Sequence, residues 1–242
     1  MNDFVVSLLP ELCINCEKQS ADFKMTNSTT YKWIFSARFR TGAYGWKSSR
    51  LAYQRLLEAV SEIKKVAKKD PVLGAEGAVR LMEKLWPALE HIDTSSGALG
   101  SAVNKALDDL IPVVVKAPVD KSIRDKWLER LWQAMADDGV DYLGPVGDRW
   151  GELCGSANVA GKWADDLIST VRFCWIDPNP GSYFHGATVC LSWLLVAGRH
   201  RELFDLLALD RYPMWHYRRY GVEVLVSMSP CEPKTLIRAA KD

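Results

Sequence analysis

Two glycines followed by a lysine, within residues 155–162, are the part of the sequence closest to a phosphate-binding loop. Such a loop has four residues between its glycines, and a Ser or Thr after the lysine binds magnesium. Here five residues separate Gly155 from Gly161, Trp163 follows the lysine, and no predicted strand precedes the segment. We therefore expect residues 155–162 to lead into a helix and to bind no phosphate.

Cys13 and Cys16 have the spacing of half a zinc site. A structural zinc ion takes four Cys or His ligands, and the sequence contains no second CxxC or HxxxH pair to complete the set. Cys231 and the scattered histidines could reach these two cysteines only through long-range folding. We therefore predict no metal site and no cofactor.

His200 and Glu202 have the spacing of the His and Glu in zinc deaminases, but no Pro-Cys-x-x-Cys motif follows them. No histidine stands at a spacing that would pair it with a nucleophile. Adjacent carboxylates are poor acid–base pairs, because neighbours on a helix point in different directions. We therefore predict that the protein is not an enzyme and assign no catalytic residue. The adjacent carboxylates are Asp108-Asp109, Asp137-Asp138 and Asp165-Asp166.

Positive and negative charges are segregated along the chain, although the net charge is only +1. Residues 31–70 contain ten Lys or Arg and three Asp or Glu, whereas residues 71–180 contain eleven and seventeen. A basic segment beside an acidic body produces a directional field that favours a charged partner. We predict that the protein binds its partner through basic residues of this segment, namely Arg38, Arg40, Arg55, Lys64, Lys65, Lys68 and Lys69.

The composition is that of an ordinary globular protein, with 48% apolar and 25% charged residues. The ten tryptophans exclude a disordered chain. The longest apolar run, near residues 189–197, is far shorter than the roughly 20 residues that span a bilayer. We expect no membrane partner and no signal peptide, since no basic residue precedes the apolar residues 4–9. Four of the six cysteines lie in apolar contexts with irregular spacing, which indicates a reducing cytoplasm rather than a disulfide framework.

Apolar residues recur at separations of three or four along most of the chain, which is the pattern of amphipathic helices. Residues 183–197 are apolar on nearly all sides and predict a central, buried helix. No strand-like alternation is long enough for a sheet, and short connections imply antiparallel neighbours. We predict an all-α fold of antiparallel helical hairpins, packed as a bundle or as a short α-solenoid. The helices are predicted at residues 48–69, 74–90, 98–110, 121–136, 157–175, 183–197, 200–208 and 213–228, with a weaker segment at 144–155.

Residues 91–100, followed by residues 127–132 and 150–154, resemble an uncharacterised family of helical bacterial proteins that is often found on mobile elements. The resemblance covers roughly residues 31–228. Residues 197–203 and 217–225 resemble a tetratricopeptide-type hairpin, in which a Gly-Arg turn joins two helices. The resemblance implies a helical-repeat domain between an N-terminal extension of residues 1–30, partly irregular, and a tail of residues 229–242. It implies no established chemistry.

Residues 31–40 and 211–220 mix aromatic with basic side chains, a composition that can stack bases and hold phosphates. The same residues can also be core aromatics with arginines at the surface. The hairpin resemblance favours the core interpretation for residues 211–220. Residues 31–40 are open to either interpretation.

Two hypotheses of function follow. The first is a non-catalytic, protein-binding helical scaffold, because stacked hairpins make surfaces that grip other proteins. A specific form of this hypothesis is an anti-CRISPR-like inhibitor of a host nucleoprotein complex. It is implied by the mobile elements on which the resembling family is often found. The alternative is direct nucleic-acid binding through residues 31–70, against which stand the acidic body and a pI of about 7.6. The oligomeric state stays open.

Overall fold

Helices account for about three quarters of the residues that the structure, a computed structural model, describes: 31–176, 184, 186–210 and 214–228. These ranges contain no strand, which confirms the predicted all-α fold. None of the helices within them is long and apolar enough to cross a bilayer. The predicted extension (1–30) and the predicted tail (229–242) lie outside the described residues.

The described helices follow one another with short connections. They are α1 (Ile34–Arg38), α2 (Ser49–Ala67), α3 (Pro71–Leu89), α4 (Ala98–Val115), α5 (Lys121–Ala136), α6 (Gly144–Asp148), α7 (Trp150–Leu153), α8 (Ala157–Ile176), α9 (Gly186–Val196), α10 (His200–Leu207) and α11 (Trp215–Met228). The sequence patterns do not predict α1, because five residues are too few to show a helical period.

Helix α3 is the centre of the N-terminal group and packs against α2, α4 and α5, while α1 packs on α2. The apolar stripe predicted on α2 is buried, with Leu56 and Ile63 among the least exposed side chains. Gly74 is required where α2 meets α3, since a Cβ there would lie 2.4 Å from the Cβ of Ala67. A larger residue would therefore force the two helices apart.

Asp70 both ends α2 and begins α3. Its side chain accepts a hydrogen bond from the backbone N–H of Leu73 at 2.9 Å, and Pro71 occupies the first helical position. An N-terminal proline loses no helical hydrogen bond, because the first amide groups have no partner within the helix. Helix α3 therefore begins earlier than the predicted residue 74.

Helix α4 runs past Pro112 to Val115, so its predicted end near residue 110 is wrong. Buried Leu110, Ile111 and Val114 continue the apolar stripe across the proline. Burial of these side chains outweighs the single hydrogen bond that proline removes, in part because Asp108, four residues earlier, is exposed and its carbonyl can meet water.

Arg124 caps the end of α4 from the first turn of α5. Its side chain is only 8% exposed, and its guanidinium donates to the carbonyl oxygens of Val114 at 2.7 Å and Ala117 at 3.0 Å. The last carbonyls of a helix lack partners and carry partial negative charge, so a buried cation is stabilised there without a carboxylate. The guanidinium also lies over the ring of Trp127, 5.6 Å from its centroid.

Helix α5 is held to α3 by a set of charged hydrogen bonds. The Arg130 guanidinium donates to Glu83 at 2.6 and 2.8 Å and to Glu76 at 2.8 Å. The indole N–H of Trp127 donates to Glu76 at 2.7 Å. Such paired contacts add geometric specificity, because the planar guanidinium can donate to carboxylates only in a few arrangements. They explain why α5 packs on α3 as its main neighbour.

Helix α9 is the centre of the C-terminal group and packs against α6, α7, α8, α10 and α11. Eight of its residues are buried, which confirms the central, buried helix predicted at 183–197 for the residues that the structure describes. Helices α6 and α7 also contact α4 and so join the two groups. Within the C-terminal group, Gly198 turns the chain from α9 into α10 with φ +70°, a conformation that favours glycine.

Helix α7 approaches the backbone of α9 closely at Gly151. The backbone N–H of Gly151 donates to Ser192 Oγ at 2.9 Å. A Cβ at position 151 would lie 2.3 Å from the backbone oxygen of Ser192. This contact therefore requires glycine and gives the buried hydroxyl of Ser192 a hydrogen-bond partner.

Replacing Arg124 with Met should lower the free energy of unfolding by about 2–4 kcal/mol, because it leaves the terminal carbonyls of α4 unsatisfied. Arg124→Lys should recover only part of the loss, since an ammonium cannot reach several carbonyls with a planar fork. Urea unfolding measures both effects. Equal stability of the Met variant and the unmodified protein would contradict the capping role.

Candidate functional site

Two of the predicted partner-binding residues form ion pairs with one carboxylate inside the N-terminal group. Arg38, at the end of α1, pairs with Glu58 of α2, and Arg55 Nη1 lies 3.3 Å from the same carboxylate. These charges lower the pKa of Glu58, after the larger effect of a hydrogen bond from Gln54. Arg38 thus helps to join α1 to α2, whereas the Arg55 pair lies within α2. Both arginines also contribute positive charge.

Glu62 makes the second connection between α1 and α2. Its carboxylate accepts hydrogen bonds from the backbone N–H groups of Ile34 at 2.9 Å and Phe35 at 3.3 Å. The first amide groups of a helix have no internal partners and attract negative charge. Two of the three acidic residues in the basic segment are therefore used to hold α1.

The other predicted binding residues are exposed. Lys64 lies 3.3 Å from Asp109 of α4, and both side chains remain nearly half exposed. Arg40, Lys65, Lys68 and Lys69 are exposed and form no ion pair within the part of the chain that the structure describes. Their positive charge is thus available to a partner.

Apolar side chains share the exposed side of α2 with these lysines. Tyr53 is 43% exposed and Leu57 is 46% exposed. Residues at separations of three or four form one continuous stripe on a helix. We define the α2 outer face as this stripe: Arg50, Tyr53, Leu57, Ser61, Lys64 and Lys68.

Three of the four aromatic residues in stretch 31–40 do not reach solvent. Trp33, Phe35 and Phe39 are buried in the core, so they cannot stack with bases, whereas Tyr31 is 38% exposed. The other exposed aromatic residues of the basic segment are Tyr53 and Trp46, whose side chain is 66% exposed. The core interpretation therefore holds for three of the aromatic residues of stretch 31–40, and Tyr31 is open to either interpretation.

Residues 214–220 of the second aromatic-basic stretch also contribute to the core. Tyr217 and Tyr220 are buried, and Tyr217 packs against Trp175 with ring centroids 5.2 Å apart. Arg219 lies over the ring of Tyr220 and pairs with Asp148 at 2.6 Å. Trp215 is the exception and remains exposed.

A polar cavity that the sequence patterns do not predict lies where α4, α6, α9 and α11 meet. It has a volume of about 360 Å³, at the small end of ligand pockets. Its lining comes from residues far apart in the sequence, so no local motif could reveal it. The lining residues are Asn104, Met135, Asp141, Gly144, Pro145, Gly147, Asp148, Thr188 and His216.

Asp148 is the most constrained charged group of this cavity. Burial raises its pKa, while the guanidinium of Arg219 opposes that shift. Tyr220 donates its hydroxyl to the backbone oxygen of Asp148 at 3.0 Å, and Arg219 donates to that hydroxyl at 3.1 Å. The carboxylate therefore holds α6 to α11 through its ion pair with Arg219. This structural contact accounts for the position of Asp148.

Among the remaining residues whose side chains could take part in catalysis or ligand binding, those that the structure describes make structural contacts. Arg199 pairs with Glu202 and Asp165 beside the turn into α10, so Glu202 is held by an ion pair. Gly155 turns with φ +74° immediately before α8, which confirms that residues 155–162 lead into a helix. Cys13 and Cys16 lie outside the described residues. Within the described residues, no group of three or more His, Cys, Asp or Glu is arranged to hold a metal ion.

Cys154 and Cys190 are buried thiols with little nucleophilic character. Burial raises the pKa of each to about 12. Cys154 also accepts a hydrogen bond from the indole N–H of Trp193 at 3.0 Å. Because the thiolate is the reactive form, both side chains behave as small apolar residues near neutral pH.

Comparison with known proteins leaves the site to be interpreted from its own geometry: no family model, curated protein or solved structure matches the chain.

Cys154 and Cys190 should react with iodoacetamide at pH 8 more than about a hundredfold more slowly in the folded protein than in urea, because burial suppresses the thiolate. Half-buried Cys174 serves as an internal reference and should react at an intermediate rate. Mass spectrometry of the labelled peptides gives each rate separately. Equal folded and unfolded rates for Cys154 or Cys190 would show that the thiol is accessible.

Proposed function

We propose that the protein is a non-catalytic helical scaffold that binds another protein through the α2 outer face. The observation that carries the proposal is one exposed helix side that combines Tyr53 and Leu57 with Lys64 and Lys68. Apolar anchors beside charged residues are typical of protein interfaces, where apolar burial gives affinity and charge gives orientation. The partner surface should be acidic with an apolar depression.

Rigid support of this face favours the same function. Helix α2 packs on α1, α3 and α4, and Glu58 and Glu62 connect it to α1. A binding surface on a well-packed helix loses little conformational freedom when a partner docks. The face is therefore preorganised for binding.

A tetratricopeptide-like arrangement of the C-terminal helices forms part of the proposal, and two observations support it. Gly198, in a left-handed backbone conformation, joins α9 to α10, and α10 packs against α11. Helical hairpins of this kind commonly expose surfaces for protein partners.

The resemblance of residues 91–100 and 127–132 to a mobile-element family narrows the proposed role. We infer an anti-defence role in the cytoplasm, in which the protein inhibits a host nucleoprotein complex in an anti-CRISPR-like manner. Support for this step comes from the sequence resemblance alone.

Nucleic-acid binding is the second candidate, and one observation favours it. Trp46 and Tyr53 are exposed close in sequence to Arg40, Lys47 and Arg50. Exposed aromatic rings beside cations can stack bases of a single strand. Here the nucleic acid would replace the acidic protein as the partner of the basic segment.

Replacing Lys64, Lys65, Lys68 and Lys69 with Gln should leave the melting temperature nearly unchanged, because exposed ion pairs contribute little to stability. The same variant should lose most partner binding, mainly through a slower association rate, because the charges steer the encounter. Affinity purification from the native host after nuclease treatment, with quantitative mass spectrometry, compares the proteins that each variant retains.

The matched control replaces four exposed lysines elsewhere, Lys105, Lys116, Lys121 and Lys126, with Gln. A protein lost by the first variant and retained by the control would support the scaffold. Tight binding of a single-stranded DNA oligonucleotide, with affinity falling steeply as salt rises, would instead favour the nucleic-acid candidate. Identical retention by both variants would rule out the α2 outer face as the binding surface.

A further inference from the structure

A second helix, α8, also exposes one side that combines apolar and charged residues. Phe173 is 74% exposed and Ile176 is 54% exposed, near the end of α8. Two to three turns earlier, Asp165 and Asp166 are exposed on the same helix. We define the α8 outer face as Asp165, Asp166, Ser169, Phe173 and Ile176.

The α8 outer face carries the opposite charge to the α2 outer face. Its charged and apolar residues also follow each other in the opposite order along the helix. On α2 the apolar residues Tyr53 and Leu57 follow Arg50, and the lysines come after them toward the C-terminal end. On α8 the aspartates come first, and Phe173 and Ile176 follow. If the two helices lie antiparallel, apolar residues therefore meet apolar residues and lysine meets aspartate.

The spacing of the two faces agrees with this antiparallel arrangement. Leu57 and Lys64 are seven residues apart, as are Asp166 and Phe173. Seven residues extend about 10.5 Å along a helix and return to nearly the same side. With Leu57 opposite Phe173, Lys64 lies opposite Asp166, and Tyr53 lies near Ile176.

The carboxylate at this position is available. Asp165 already pairs with Arg199, whereas Asp166 forms no ion pair within the residues that the structure describes. Phe173, 74% exposed, places an apolar group on the same side of α8 two turns further along. The α8 outer face thus presents both an apolar and a charged group at the surface.

We propose that a second copy of this chain docks its α8 outer face, antiparallel, on the α2 outer face of the first. The inference rests on the proposed function in one respect, that the α2 outer face is a binding surface. The two faces differ, so the contact is head-to-tail and either closes into a ring or continues as a chain of copies. Self-association then competes with the protein partner for the α2 outer face.

Sedimentation of the full chain without any partner tests the contact. The mean mass should rise with protein concentration, and both Leu57→Asp and Phe173→Asp should abolish the rise. Both side chains are exposed, so the melting temperatures should stay close to that of the unmodified protein. Loss with only one of the two variants would overturn the proposed pairing of faces, as would a constant monomer mass at every concentration.

Charge reversal tests the register. Lys64→Glu and Asp166→Lys should each weaken self-association about tenfold or more, because each places like charges in contact. An equimolar mixture of the two variants should restore association, since each variant then offers a face complementary to the other. Lys105→Glu and Glu129→Lys reverse exposed charges elsewhere and should have no such effect. Failure of the mixture to associate would overturn the antiparallel register.

The same variants separate this proposal from the proposed function. Phe173→Asp and Asp166→Lys lie outside the α2 outer face and should retain the host protein captured by the unmodified chain. If self-association is absent but capture still depends on the α2 lysines, the self-docking proposal fails and the proposed function stands. If capture is insensitive to those lysines while self-association follows the charge reversals, the proposed function fails instead.

Discussion

The requirement to cover α9 on every side organises the C-terminal half of the protein. Exposure of any side of a helix without a polar face to water is unfavourable, so neighbours bury most of it. Five of the described helices do so, and Gly151, which has no side chain, lets α7 approach the backbone of Ser192. Because α6 and α7 also contact α4, covering α9 fixes the connection between the two helical groups. The amphipathic helices α2 and α8 each keep one side for solvent.

Charged residues perform two separate tasks in this architecture. Arg124 and Arg130 are used inside, where each joins α5 to a neighbouring part of the fold through several hydrogen bonds. The lysines at the end of α2 are left outside, where they add little to stability. The charge segregation along the sequence therefore reflects both uses. It overstates the free positive charge, because Arg38 and Arg55 share Glu58.

Helix positions could be predicted from the sequence wherever a local rule decides them. Asp120 caps α5 by accepting a 2.9 Å hydrogen bond from the backbone N–H of Ile123, and the apolar residues on nearly all sides of α9 mark its central place. The prediction failed at Pro112, where tertiary burial of Ile111 and Val114 outweighed a local helix breaker. Of the candidate site, the exposed lysines could be named in advance. Their apolar neighbours, the Glu58 pairing and the polar cavity depend on contacts between distant segments, which no spacing encodes.

Native-state hydrogen exchange tests most directly whether α9 is the centre on which the C-terminal half depends. If it is, the amides of residues 191–194 exchange only through global unfolding, with the full denaturant dependence and among the slowest rates in the chain. Amides of α10 and α11 should open earlier, because fewer helices surround them. Exchange of residues 191–194 that is faster than exchange in α10, or that is insensitive to denaturant, would contradict this central role.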